Sequence, residues 1–121
     1  MTIVFSLFFI VSKKINSKLS LIFLISFWLC FEKFHLMWDF SWPWLNIGNV
    51  FSEKTEWIQW YEYTGSFGGT LWVLLTNILI YKVFLSTIYN EKPRLLIVSV
   101  ILVIIVPITI SKIILYNLDL E

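Results

Sequence analysis

Four apolar runs, separated by short polar ones, set the pattern of this chain. Residues 1–12 carry no charge. Residues 19–31 form a second run, and Leu36, Met37 and Trp38 extend it past Glu32 and Lys33. Residues 63–81 are free of charge and are prolonged by 83–85. Residues 95–111 are likewise uncharged, and 113–115 continue beyond Lys112. A membrane-spanning helix takes about 20 apolar residues. An open strand in lipid would leave backbone groups unpaired, so each run is read as a helix. The pattern predicts helices near 1–12, 19–38, 63–88 and 95–115 and a loop over 39–62. The expected fold is all-α: an integral membrane bundle of about four transmembrane helices within one partial transmembrane domain, 1–121. The first run is read as a membrane helix, whole or cut short. It is not read as a signal peptide, because Lys13 and Lys14 follow it, whereas a signal peptide places its positive charges first.

Composition agrees with this pattern. Of 121 residues, 59% are hydrophobic and 14% charged, with a mean hydropathy of +0.83. Soluble domains run at about 45–50% apolar and about 25% charged. The net charge of +1 implies no nucleic-acid partner. The single cysteine, Cys30, can form neither an internal disulfide nor a CxxC site.

Charge also orients the helices. The link at 13–18 holds three lysines and no acid, and the link at 82–94 holds Lys82, Lys92 and Arg94 against Glu91. Segment 32–66 reverses the balance, with Lys33 and Lys54 facing Glu32, Asp39, Glu53, Glu56 and Glu62. Positive links stay cytoplasmic, so 32–66 is expected outside. The chain is expected to cross the membrane several times.

All seven tryptophans lie between positions 28 and 72. Tryptophan and tyrosine favour the headgroup zone, where the ring is buried and its N–H or O–H stays wet. A plain aromatic belt is one reading. The density of Trp38, Trp42, Trp44, Trp57, Trp60, Tyr61 and Tyr63, broken by Pro43 and Gly48, favours a re-entrant periplasmic loop, which is tolerated where protein or a watery cavity covers the backbone.

Candidate sites are few. Gly65 and Gly69 have GxxxG spacing, which suits close helix packing; a flexible helix start is the plainer alternative. Asn77 is expected to bond a neighbouring helix. Pro107 interrupts the fourth helix and frees the carbonyl of Val103. Glu32 and Lys33 suit an ion pair or headgroup contact as well as chemistry. His35 is the lone histidine, and no metal or other cofactor is expected. Cys30 reads as a small apolar filler. Neither a P-loop nor a GxSxG or HExxH pattern is present.

Two blocks carry a resemblance. FEKFHLMWDFSWPWLNIGN (31–49) and WIQWYEYTGSFGGTLWVLLTN (57–77) resemble apolipoprotein N-acyltransferases, in the variant typical of the Bacteroidetes group of bacteria. The matching features are Pro43-Trp44-Leu45 with Gly48, then the Gly-rich helix mouth from Gly65 to Gly69, then an apolar helix containing Asn77. The resemblance implies a phospholipid and a lipoprotein as substrates, with an acyl chain passing to the N-terminal amine of a diacylglyceryl-cysteine. It implies that Trp44 lines the lipid entrance, flanked by Pro43 and Trp42, with Tyr61 and Glu62 nearby. The family's nitrilase-like domain supplies a catalytic Glu, Lys and Cys, and no residue here matches them. The expected role is therefore that of a membrane-domain fragment, inactive alone; whether the chain counts as an enzyme is left open. The alternative is a small non-enzymatic scaffold subunit of a larger membrane complex.

Overall fold

The computed structural model describes residues 2–39 and 46–118, Lys18 through its backbone only. It is helical throughout these residues, apart from turns. Two compact units divide the chain, one covering Met1–Asn46 and the other Ile47–Glu121.

The first unit holds α1 (Thr2–Ser12) and α2 (Ser17–Leu36). Eleven residues of α1 rise only about 16 Å, half of a hydrocarbon core of about 30 Å. The break after α1 is made locally. Ser12 Oγ donates to the Phe9 carbonyl at 2.9 Å, and Lys13 Nζ sits 4.2 Å from the centre of the Phe9 ring. Helix α2 restarts as Ser20 N–H donates to the Asn16 carbonyl and Ser20 Oγ to that of Ser17. The two helices pack through Val4, which is fully buried, and through an edge-on contact of Phe5 with Trp28, centroids 5.6 Å apart. Trp28 Nε1 donates to Glu32 Oε1 at 3.0 Å, so the buried carboxylate has a donor one turn away on its own helix.

The second unit begins with two 3-10 turns, Ile47–Phe51 and Thr55–Trp57. They lead into α3 (Tyr61–Ile88) and α4 (Arg94–Leu118). The first turn packs on α3 and the second on α4. Helices α2, α3 and α4 are each long and apolar enough to cross a membrane. The burial pattern is that of a protein dissolved in lipid. Thr70 and Ser111 are fully buried, while Leu95, Ile105, Phe84 and many other large apolar side chains face outward. Water would reverse that arrangement.

The link between α3 and α4 is a Schellman turn. Asn90 takes φ 55°, a left-handed conformation that asparagine tolerates better than most residues. Glu91 N–H donates to the Ser86 carbonyl at 2.8 Å and Asn90 N–H to that of Thr87 at 3.2 Å. The carbonyl of Pro93 then accepts the first bond of α4, from Ile97 N–H. Reversal is complete within five residues, which lays α3 and α4 side by side.

Inside α4, Pro107 has no N–H, so the Val103 carbonyl loses its helical partner. Trp72 Nε1 of α3 fills the vacancy, donating to Val103 O at 2.6 Å. This bond ties the two spans together at the break that Pro107 makes in the α4 hydrogen-bond ladder. Asn77, by contrast, donates to the Val73 carbonyl of its own helix at 3.0 Å, as Thr76, Thr87, Ser99 and Thr109 do through their hydroxyls one turn back. The expected bond from Asn77 to a neighbouring helix is thus replaced by a local one.

A double-mutant cycle tests the tie. Trp72→Phe keeps the ring and removes the donor, which should cost about 1 kcal/mol against unfolding in detergent. In a Pro107→Ala background the new backbone N–H can serve Val103, and the same Trp72→Phe change should cost much less. Equal costs in the two backgrounds would show that the bond carries no stability.

Candidate functional site

The site grows from one glycine. Gly48, in the first 3-10 turn, is buried, and both of its backbone polar groups are satisfied by α3. Its N–H donates to Thr70 Oγ1 at 3.0 Å, and its carbonyl accepts from the Tyr61 hydroxyl at 2.9 Å. Thr70 is fully buried and lies nine positions beyond Tyr61 in sequence, so the turn is grasped at two separate points of α3.

Gly69 makes this grasp possible. A Cβ there would lie 3.0 Å from the Gly48 Cα and would collide with the Tyr61 phenol. The close neighbours of Gly69 are thus the Tyr61 phenol and, next to it, the Gly48 backbone of the preceding turn. The helix-packing role expected from the GxxxG spacing divides accordingly. At Gly65 a Cβ would meet nothing within 4 Å. What Gly65 supplies instead is a backbone break, with φ 64° and ψ −173° inside α3, a conformation that side chains disfavour. That break separates the turn holding Tyr61 from the regular helix holding Gly69 and Thr70.

An aromatic cluster covers this end of the hairpin. Trp72 lies against Phe51 with centroids 4.8 Å apart and meets Trp60 edge-on at 5.8 Å. Trp60 also meets Tyr61 at 4.7 Å and donates its indole N–H to the Trp57 carbonyl at 3.2 Å. Trp60 and Trp72 of this cluster also line a groove of about 530 Å³ between α3 and α4. Its walls include Trp60, Leu71 and Leu75 on one side and Val106, Pro107 and Ile110 on the other. A volume of this size falls within the about 300–1,000 Å³ typical of small-molecule sites.

The residues singled out from sequence distribute as follows. Trp42, Pro43 and Trp44 lie outside the described residues. Tyr61 is at the centre of the Gly48 grasp, and Glu62 beside it is exposed. Cys30 is exposed on α2. His35 is stacked on Phe31 with centroids 5.9 Å apart, and its Nε2 is buried without a hydrogen-bond partner. Among the described residues no three His, Cys, Asp or Glu side chains converge as metal ligands would. Thr70 and Trp72 were not anticipated. A hydroxyl and an indole N–H in the first half of an apolar helix each require a partner, and that need was the signal that could have found them.

Two substitutions test the grasp on Gly48. Gly69→Ala should displace Tyr61 and raise amide hydrogen exchange at 47–51 severalfold. Tyr61→Phe, which removes only the hydroxyl, should produce a smaller rise in the same segment and cost about 1 kcal/mol of stability. Exchange at 47–51 unchanged in Gly69→Ala would refute the grasp.

Comparison with family models matches residues 1–79 to the apolipoprotein N-acyltransferase N-terminal domain. The match covers α1, α2, the two 3-10 turns and α3 through Leu79, and so includes every residue of the Gly48 grasp. Comparison with curated proteins and with solved structures finds no match. With about two thirds of its length matched, the chain belongs to the apolipoprotein N-acyltransferase N-terminal domain family.

Proposed function

We propose that this chain forms the lipid-handling membrane part of an apolipoprotein N-acyltransferase in a bacterial inner membrane. In that role it holds the phospholipid donor and the lipoprotein acceptor beside a nitrilase-like catalytic domain. The reaction of the family moves an acyl chain from the phospholipid, by way of a cysteine thioester, to the N-terminal amine of a diacylglyceryl-cysteine. The observation that carries the reading is the family match over 1–79. The geometry adds support. The aromatic loop segment is anchored to α3 through Gly48, next to an apolar groove, and this is a suitable mount for a lipid entrance.

In this reading Trp44, four residues before the anchored Gly48, lines the entrance with Trp42 and Pro43, while Tyr61 holds the anchor and Glu62 stands at the mouth. The 121 residues themselves offer one thiol, Cys30, exposed on an apolar helix. A catalytic thiol needs a neighbouring base or cation to form its thiolate. Cys30 is therefore assigned no chemical role. The lysine-rich links at 13–18 and 82–94 are placed in the cytoplasm and the segment carrying Lys54 outside.

Two measurements test the proposal. Mass spectrometry of a diacylated lipopeptide incubated with the 121-residue chain and phospholipid should show no triacylated product, and Cys30→Ser should change nothing. A chimera supplying the family's nitrilase-like domain and further membrane helices should form product, and Trp44→Ala should slow it at least tenfold. A chimera indifferent to Trp44→Ala would favour the scaffold alternative, and product from the isolated chain that is lost in Cys30→Ser would make Cys30 the nucleophile. Topology is checked separately, in a Cys30→Ser background. Lys54→Cys should react with a membrane-impermeant maleimide from the periplasmic side, and labelling only from the cytoplasm would invert the orientation.

A further inference from the structure

We infer that Gly65 is a two-state switch in α3. Bent, as observed, it lets Tyr61 hold the 3-10 turns against the helix; straightened, it makes α3 continuous and lets the turns go. Neither state requires that the chain takes part in acyl transfer.

The backbone at Gly65 supplies the switch. Its φ of 64° and ψ of −173° lie in a region open to glycine and essentially closed to residues with a side chain. Two helical stretches meet there. Such breaks persist only where the surrounding structure holds them, and they gather at switch regions. Nothing packed on Gly65 itself does the holding, because a Cβ there would meet no atom within 4 Å. Rotation of this one residue to helical angles, about −63° and −42°, is therefore unobstructed and would join the two stretches.

The bend is what brings Tyr61 to its partners. Tyr61 and Gly69 are eight positions apart, which in an unbroken helix is about 12 Å along the axis. There the phenol would lean towards the helix N-terminus, away from Gly69. In the bent helix the phenol lies against Gly69 instead, and its hydroxyl donates to the Gly48 carbonyl at 2.9 Å. Thr64 and Trp60 crowd Gly68 in the same way, so that an added Cβ would strike both. Gly68 and Gly69 form a platform without side chains, and the bent end can leave it without unthreading any interlocked group. Straightening carries Tyr61 off this platform and breaks its bond to Gly48.

Each state has its own hydrogen bonds. The bent one is held by Gly48 N–H on Thr70 Oγ1 at 3.0 Å and by the rings of Phe51 and Trp60 on Trp72. In return, the first N–H groups of α3 make tight i→i−3 bonds, Glu62 to Gln59 and Tyr63 to Trp60. A continuous helix extends the i→i−4 ladder through Gly65 at the expense of the loop anchor. The turns keep their own bracing when released, through Ser52 to Asn49, Lys54 to Phe51, Trp57 to Lys54 and Ile58 to Thr55.

Hydrogen exchange followed by mass spectrometry, with the chain in lipid nanodiscs, tests the switch through two variants. Gly65→Ala favours helical angles and touches no neighbour. Thr70→Val keeps the side-chain shape and removes the acceptor for Gly48. Each should raise exchange at 47–51 severalfold and lower it severalfold at 61–66, because release of the turns and completion of the helix are one event. Circular dichroism identifies a variant that fails to fold, and the other then decides. The opposed pattern is required of every variant that folds. Exchange unchanged at 47–51 would overturn the switch. So would a rise at 61–66 alongside 47–51, which is the mark of a strained turn that merely loosens. No reaction is assayed, so failure of the acyl-transfer proposal would leave this result intact.

Discussion

The second unit depends on the need to satisfy every backbone polar group where no water is at hand. An unpaired carbonyl in hydrocarbon costs several kcal/mol, more than most packing contacts return. Pro107 creates one such carbonyl in α4, and Trp72 answers it from α3 at 2.6 Å. The indole N–H is itself a donor stranded in an apolar helix, so one bond resolves two deficits. Its position also fixes the face of α3 that meets α4. The Trp72 ring in turn supports Phe51 and Trp60, and through them the end of the hairpin.

The same constraint governs Gly48. A 3-10 turn leaves backbone groups unsatisfied, and here Thr70 and Tyr61 supply the missing partners. Packing alone would not require a glycine at 69. The requirement comes from the two hydrogen bonds, which lay the Tyr61 phenol and the Gly48 backbone against Gly69, so that a methyl group there would strike the phenol first. Polar satisfaction sets the distance, and residue size follows from it.

Much of the helical content could be read from the sequence, because hydropathy over 19 or more residues integrates a strong signal. Residues 63–88 and 95–115 are of this kind, and α3 and α4 run Tyr61–Ile88 and Arg94–Leu118. The vacancy at Val103 was also legible, since proline's missing N–H is a fixed property of its ring. The identity of the donor was not, because 31 residues separate Trp72 from Val103 and only the fold of the hairpin brings them together. The glycines show the opposite failure. GxxxG spacing points to close approach of some backbone, but cannot distinguish a helix from a turn or a packing glycine from one chosen for its positive φ. Gly65 and Gly69 share a motif and do unrelated things.

The Schellman turn at Tyr89–Pro93 has a consequence for how the protein is made. With its reversal closed by two backbone bonds within five residues, the link is too short to let α3 and α4 be threaded into the bilayer at separate times and depths. During synthesis the two spans would leave the translocation channel as a helical hairpin. The insertion free energies of both segments then count together, and the very apolar α4 offsets the cost of the polar side chains and glycines that α3 carries.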